Sequence, residues 1–259
     1  MKPFDINKSV YALASRDGAT AELTLYGDIY ESRPVDWDGE PVPGEFITMD
    51  EFLEDLRVVE GASRLIIRMN SYGGDAIVAD VIHNRIRDLA RAGMETICIV
   101  DGVAMSGGSL IMCACDTVEV NPSSLIMIHN AWRFLFGGYN TEELLEAAAA
   151  LDAADKMQAA IYVRKTGLSE AQVRGMMAET TYMTGREAVE KGFADRLIED
   201  AEPLRIAASA DRRTLFVGKR ELHLAPGMTA PDGLETAEAP DAWRARMFEK
   251  IKNHKKEDT

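Results

Sequence analysis

Residues 63–102, SRLIIRMNSYGGDAIVADVIHNRIRDLARAGMETICIVDG, decide the fold. The run SRLIIRMN carries a central apolar block suited to a buried strand, and TICIVDG repeats that character some thirty residues later. Between them, AIVADVIHNRIRDLARAG returns to apolar residues every three or four positions, which puts Ile77, Val81, Ile82, Ile86 and Leu89 near one helical face before Gly93 can end the helix. Two strands joined by a crossover helix lie parallel in one sheet, with the helix packed outside it. The intervening NSYGGD reads as a tight strand-to-helix turn, in which Gly73 and Gly74 can take backbone conformations closed to other residues.

Upstream, ATAELTLYGDI reads as a strand, YESRPVDWDGEPVPGE as an acidic loop rich in turn formers, and TMDEFLEDLRVV as a helix starting near Thr48 or Asp50. Downstream, SGGSLIMCAC reads as a short helix, and DTVEV and SSLIMIHN as strands. A long alanine-rich helix is predicted over residues 141–164, opened by the capping box of Asn140 with Glu143. Two further boxes, Ser169 with Gln172 and Thr184 with Glu187, open shorter helices, the second ending at Gly192. Strands interleaved with helices predict an α/β fold with a largely parallel sheet and flanking helices. After about Ala201 the composition changes. LRIAASADRRTLFVGKRELHLAPGMTAPDG offers short strands and a Pro/Gly break, and the charged ending WRARMFEKIKNHKKEDT reads as a helix or a mobile tail. The predicted division is an N-terminal segment over 1–20, an α/β domain over 21–200, and a partly mobile extension over 201–259.

The chain of 259 residues is 46% hydrophobic, enough for a sizeable core. Its net charge of −14 disfavours nonspecific binding to nucleic acid or an anionic membrane. No segment supplies the roughly 18 apolar residues of a membrane helix, and the start has no secretory pattern, so a soluble cytoplasmic protein is expected. Cys98, Cys113 and Cys115 lie in apolar context without a CxxC pair and read as buried free thiols. The four histidines form neither HExxH nor HxH. No metal or cofactor is expected, and with no Walker A sequence any use of ATP falls to a partner.

Residues 101–113, DGVAMSGGSLIMC, place Ser106 between a strand and a small-residue helix, where a sharp turn exposes its hydroxyl beside backbone N–H groups. A serine hydroxyl needs a base, and His129, following the apolar strand LIMI, is positioned to share a strand-end crevice with it. Gly73 or Gly74, with Gly107, can offer N–H groups to a developing oxyanion. The same spacing is equally met by an N-cap serine, a structural histidine and glycines that serve only close packing.

Taken together, NSYGGD, GVAMSGG, LIMIHN and TYMTGREAVEKGFAD resemble the ATP-dependent Clp protease proteolytic subunit family (peptidase family S14), and especially its phage-type, head-maturation members. The resemblance spans roughly residues 21–200. It implies a crotonase-like α/β fold, peptide hydrolysis by serine, histidine and a carboxylate, and a handle helix over residues 140–164 that pairs two rings. The family's nucleophile motif falls on Ser106 and its MIH motif on His129. Tyr72 stands where the family has a proline. Where the family carries its acid, two residues before the aromatic at Tyr182, this chain has Thr180. The neighbouring Glu179 is therefore the expected third member, with Asp195 or a serine–histidine dyad as alternatives. The implied partners are a peptide or unfolded protein, further copies of the chain in a ring, phage scaffold or capsid precursors, and a separate unfoldase ATPase. Two other functions remain open: a catalytically impaired structural or interaction subunit, and an acyl-coenzyme A enzyme on the same fold.

Overall fold

The strand over SRLIIRMN is longer than its apolar block, because alternate residues on it face one core. In the computed structural model, which describes residues 10–14, 19–59, 61–198, 206–208, 211–212, 214–217, 220–223 and 235–236, the elements run β1 (Val10–Ala14), β2 (Thr20–Tyr30), β3 (Phe46–Thr48), α1 (Met49–Val59), β4 (Arg64–Gly74), α2 (Ala76–Arg91), β5 (Glu95–Met105) and α3 (Gly107–Met112). They continue with β6 (Thr117–Val120), β7 (Leu125–Ile128), α4 (Thr141–Thr166), α5 (Glu170–Ala178), β8 (Thr181–Thr184), α6 (Gly185–Glu190) and β9 (Arg196–Leu197). The central sheet is ordered β1-β2-β4-β5-β6-β9, with β3 on β2 and with β7 and β8 continuing from β5. Its centre is parallel, as the βαβ pattern requires, whereas β1 pairs antiparallel with β2 and β8 antiparallel with β7. The fold is a mixed α/β sheet flanked by helices.

Leu65, Ile67 and Met69 on β4 meet Leu23 and Leu25 on β2 and Cys98 and Val100 on β5 in one core, all fully buried. At about 25 cal/mol per Å² of apolar surface, such contacts supply most of the stabilisation that offsets chain entropy. Two local expectations change. Helix α2 buries Val78, Ala79, Ile82, His83 and Ile86, leaving Ile77 exposed, so its core face is rotated from the expected one. The helix opens at Asp75, whose carboxylate accepts from the N–H groups of both Ile77 and Val78. Second, Gly73 and Gly74 do not form the turn. They remain in β4, paired with Asp28 and Ile29 of β2, and the chain bends at Asp75. Glycine is needed there for close approach, since a Cβ on Gly74 would stand 2.1 Å from the Ile29 carbonyl oxygen.

All three expected capping boxes form, at Asn140, Ser169 and Thr184. Helix α4 runs on to Thr166 and ends at Gly167 in the left-handed conformation. Cys98, Cys113 and Cys115 are free and buried. Among the described residues, no helix is long and apolar enough to cross a membrane, and no group of three or more His, Cys, Asp or Glu is placed to hold a metal ion.

Chain contacts divide the molecule into residues 1–199 and 200–259. In the second unit, β10 (Ile206–Ala208), β11 (Thr214–Val217), β12 (Arg220–His223) and β13 (Glu235–Thr236) form a sheet ordered β12-β11-β10-β13. The charged ending read as a helix or tail lies outside the described residues.

Candidate active site

Strand β5 ends at Met105 and α3 begins at Gly107, so Ser106 alone makes the reversal, with φ 49° and ψ −121°. Positive φ at a non-glycine residue costs on the order of 1–3 kcal/mol and persists only where the surroundings impose it. The Ser106 N–H donates to the Met127 carbonyl at 2.8 Å, and the N–H groups of Ser109 and Leu110 donate to the Ser106 carbonyl. Small residues let the turn be this tight: a Cβ on Gly108 would lie 3.0 Å from the Ser71 carbonyl oxygen, and one on Gly73 only 2.7 Å from the Ser106 Cβ.

Because β7 lies beside β5, His129, one residue past the end of β7, arrives next to this turn. Its Nε2 is 2.8 Å from Ser106 Oγ. With the serine hydroxyl donating, Nε2 is the acceptor and the ring proton sits on Nδ1. Burial pushes the His129 pKa below the usual histidine value, while the charge of Asp155 opposes that fall. A neutral imidazole at neutral pH is the form that can take a proton.

The glycine N–H groups are not equivalent. That of Gly73 donates to Ser71 Oγ at 3.1 Å, and Ser71 in turn donates to the Gly27 carbonyl. Gly107 heads α3, where first-turn donors have no carbonyl within the helix. The Gly74 nitrogen is 3.5 Å from the point where a Cβ on Gly107 would stand. Gly74 and Gly107 are thus adjacent beside the serine, and the Gly73 N–H is already engaged.

The Clp protease family model matches residues 46–201, the span that carries Ser106, His129 and their supporting strands. The chain belongs to the Clp protease family. It is 26% identical over 205 residues to an ATP-dependent Clp protease proteolytic subunit of Chaetosphaeridium globosum, covering 77% of this chain and 98% of the relative. A protein of the same description from Epifagus virginiana is 25% identical over 142 residues, 54% of this chain and 70% of the relative. A Na(+)/H(+) antiporter NhaA of Brucella melitensis is 38% identical over 75 residues, 29% of this chain but only 10% of the antiporter.

This Clp-family chain departs from the expected arrangement in its carboxylate. Glu179 is the exposed C-cap of α5 and borders a depression shared with Leu168, Gln172, Met176 and Lys191, apart from Ser106 and His129. The end of α5 lies beside the stretch that carries the histidine, the Asn130 N–H donating to the Met177 carbonyl at 3.2 Å, while Glu179 lines the depression it shares with Lys191. Thr180 follows with φ 54°. Asp195 accepts from Lys165 Nζ and from the Val118 N–H, both at 2.6 Å, and so ties α4 to β6. The carboxylate whose charge acts on His129 is Asp155 of α4, which sequence reasoning missed. Its signal was there: Asp155, Gln158 and Tyr162 recur at three- and four-residue spacing and are all buried, a core-facing stripe with polar members in an alanine-rich helix.

Ser106 and His129 open into a cleft of about 600 Å³ walled by Tyr30, Tyr72, Trp132 and Phe134. Trp132 and Phe134 pack edge to face with ring centroids 4.8 Å apart, and both remain exposed.

Proposed function

We propose that this Clp-family chain is a serine endopeptidase with Ser106 as nucleophile and His129 as general base. The observation that carries this reading is the 2.8 Å contact between His129 Nε2 and Ser106 Oγ, made by a serine held at positive φ on a strand-to-helix junction. Ser106 Oγ bonds to the scissile carbonyl carbon as its proton passes to His129 Nε2. The tetrahedral intermediate then collapses, the C–N bond breaks, and His129 returns that proton to the leaving amine. Water, deprotonated by the same imidazole, attacks the acyl-serine, releases the acid product and restores the serine. The N–H groups of Gly74 and Gly107 are the donors to the oxyanion in this reading, each worth about 3–4 kcal/mol of transition-state stabilisation; the engaged N–H of Gly73 serves the turn.

The family relationship supports a crotonase-like layering of the sheet, a peptide or unfolded segment as substrate, and assembly with further copies of the chain. The first half of α4 offers Leu144 and Leu145 to solvent, which suits a subunit contact. Scaffold or capsid precursors of a phage head are the proposed natural substrates, and a separate ATPase the source of any unfolding. A cytoplasmic location follows from that role. An acyl-coenzyme A hydratase or isomerase has no use for a serine poised against an imidazole. Purified protein should cleave peptides, and Ser106→Ala and His129→Ala should each lose about a thousandfold or more while staying folded. Undiminished cleavage by either folded variant overturns the assignment, and absence of cleavage from wild type with peptides, scaffold protein or an added unfoldase favours the noncatalytic subunit.

A further inference from the structure

We propose that Asp155 is the positioning carboxylate of the Ser106–His129 pair, supplied from helix α4 in place of the segment after α5; the proposal rests on the serine-hydrolase reading above. Asp155 is only 8% exposed, and a carboxylate this buried is costly unless hydrogen bonds or an opposite charge compensate it. One oxygen, Oδ1, accepts the Ala131 N–H at 2.6 Å. Ala131 is two residues past His129 and lines the same cleft, as does Gln158, the next residue along the buried face of α4. The bond therefore fixes the stretch that carries the imidazole.

The other carboxylates offered by the sequence are engaged elsewhere. Glu179 borders a different depression, Asp195 is held by Lys165 and the Val118 N–H, and position 180 is threonine. Around His129, Asp75 spends its charge on the cap of α2, while Arg133, Tyr30 and Tyr72 stand on the cleft wall. Arg174 of α5, paired with Asp152 at 2.7 Å, also lies within the field of Asp155. Asp155 is the charge that acts on the imidazole, and it favours the protonated form. When His129 takes the Ser106 proton, the new imidazolium is stabilised by a fixed negative charge that need not itself accept a proton.

The test follows the labelling rate of Ser106 by a fluorophosphonate, and kcat/KM for a peptide, across pH in wild type, Asp155→Asn, Asp155→Ala and Glu179→Gln. Asparagine keeps an oxygen for the Ala131 N–H and removes the charge. We expect Asp155→Asn to lose about 10²- to 10⁴-fold in both rates and to move the acid limb of the profile to lower pH. Asp155→Ala should lose more, since it also frees Ala131, and Glu179→Gln should match wild type. If Asp155→Asn does not fold, Asp155→Ser offers a smaller neutral acceptor for the same comparison. Should both fail to fold, Asp155→Glu, which keeps a carboxylate but moves its charge, is compared with wild type by NMR titration of His129. A His129 pKa that shifts in the folded variant supports the Asp155 charge, and one unchanged from wild type overturns it. A folded Asp155→Asn or Asp155→Ser with the wild-type rate and acid limb overturns the Asp155 role alone. A wild type that never labels overturns the hydrolase reading and this role with it.

Discussion

The two halves of helix α4 face different worlds. From Thr141 through the alanine run the helix is solvent-exposed, with Leu144 at 47% and Leu145 at 65% exposure, and its start is held by its own capping box. From Asp155 onward it buries Asp155, Gln158, Ala159, Ile161 and Tyr162. That second half is bonded to the segment after His129 and to the elements behind the serine turn. The Tyr162 hydroxyl is 2.7 Å from Ser109 Oγ, which donates to the Ser106 carbonyl at 2.6 Å, so tyrosine is the donor to serine in this chain of bonds. Arg164 donates to His83 Nε2 at 2.8 Å and to the Cys113 carbonyl, while His83 Nδ1 donates to the Leu110 carbonyl on α3. One half of the helix thus braces the serine turn from behind, and the other extends a surface that the subunit itself leaves unused. A single rigid element joins the two.

The comparison can be broken by substitution. The largest effect is expected at Tyr162, which is fully buried. Tyr162→Ala should cost about 3–5 kcal/mol, read by denaturant unfolding, because it leaves a large cavity and unpairs Ser109. Tyr162→Phe removes the hydroxyl alone and should cost about 1–2 kcal/mol. It should also lower peptide cleavage, since the bond to the Ser106 carbonyl loses its support.

Acid provides a smaller perturbation of the same half. Burial lowers the pKa of His83, with the neighbouring Arg164 and Arg87 acting in the same direction and the Leu110 carbonyl and Asp80 opposing them. The unfolded chain therefore binds this proton at a higher pH than the folded one. Stability should hold above the ordinary histidine value of about 6.5 and fall as pH drops toward the depressed folded-state value. Unfolding free energy measured against pH should show that decline, and His83→Gln should make it shallower, leaving the part that belongs to the depressed pKa of His129. A stability that is level through this range would remove His83 from the bracing network.

The smallest effect on the isolated subunit is expected in the exposed half. Leu145→Ala should change unfolding free energy by no more than about 0.5 kcal/mol. Leu144→Glu with Leu145→Glu should weaken assembly in light scattering across dilution while preserving the fold. A large loss of subunit stability from either change would contradict the division of α4 into a bracing half and an outward half.

The division also explains what the sequence disclosed. The boxes at Asn140, Ser169 and Thr184 were legible because a cap is local: the residues that bond are three apart in the chain. Ser106 and His129 were legible because each sits at the end of a strand whose apolar run is evident, and β5 and β7 are neighbours. The bond from the Ala131 N–H to Asp155 was not, because it depends on how α4 crosses the domain, and the alanines around Asp155 give no direction to that packing. Nearness to Tyr182 favoured Glu179 on sequence grounds, and in the fold that residue caps α5 and lines a depression with Leu168 and Lys191. Gly73 and Gly74 read as a turn because glycine serves turns and close strand contacts alike, and only the carbonyl of Ile29 beside Gly74 distinguishes the two.

The central claim is that Ser106 is a nucleophile activated by His129. The most direct measurement is mass-spectrometric mapping of a fluorophosphonate adduct on folded wild type, Ser106→Ala and His129→Ala. The account predicts a single adduct on Ser106 in wild type, none in Ser106→Ala, and a rate reduced by about a thousandfold in His129→Ala. An adduct on another serine, or labelling of Ser106 at the wild-type rate without His129, would contradict it.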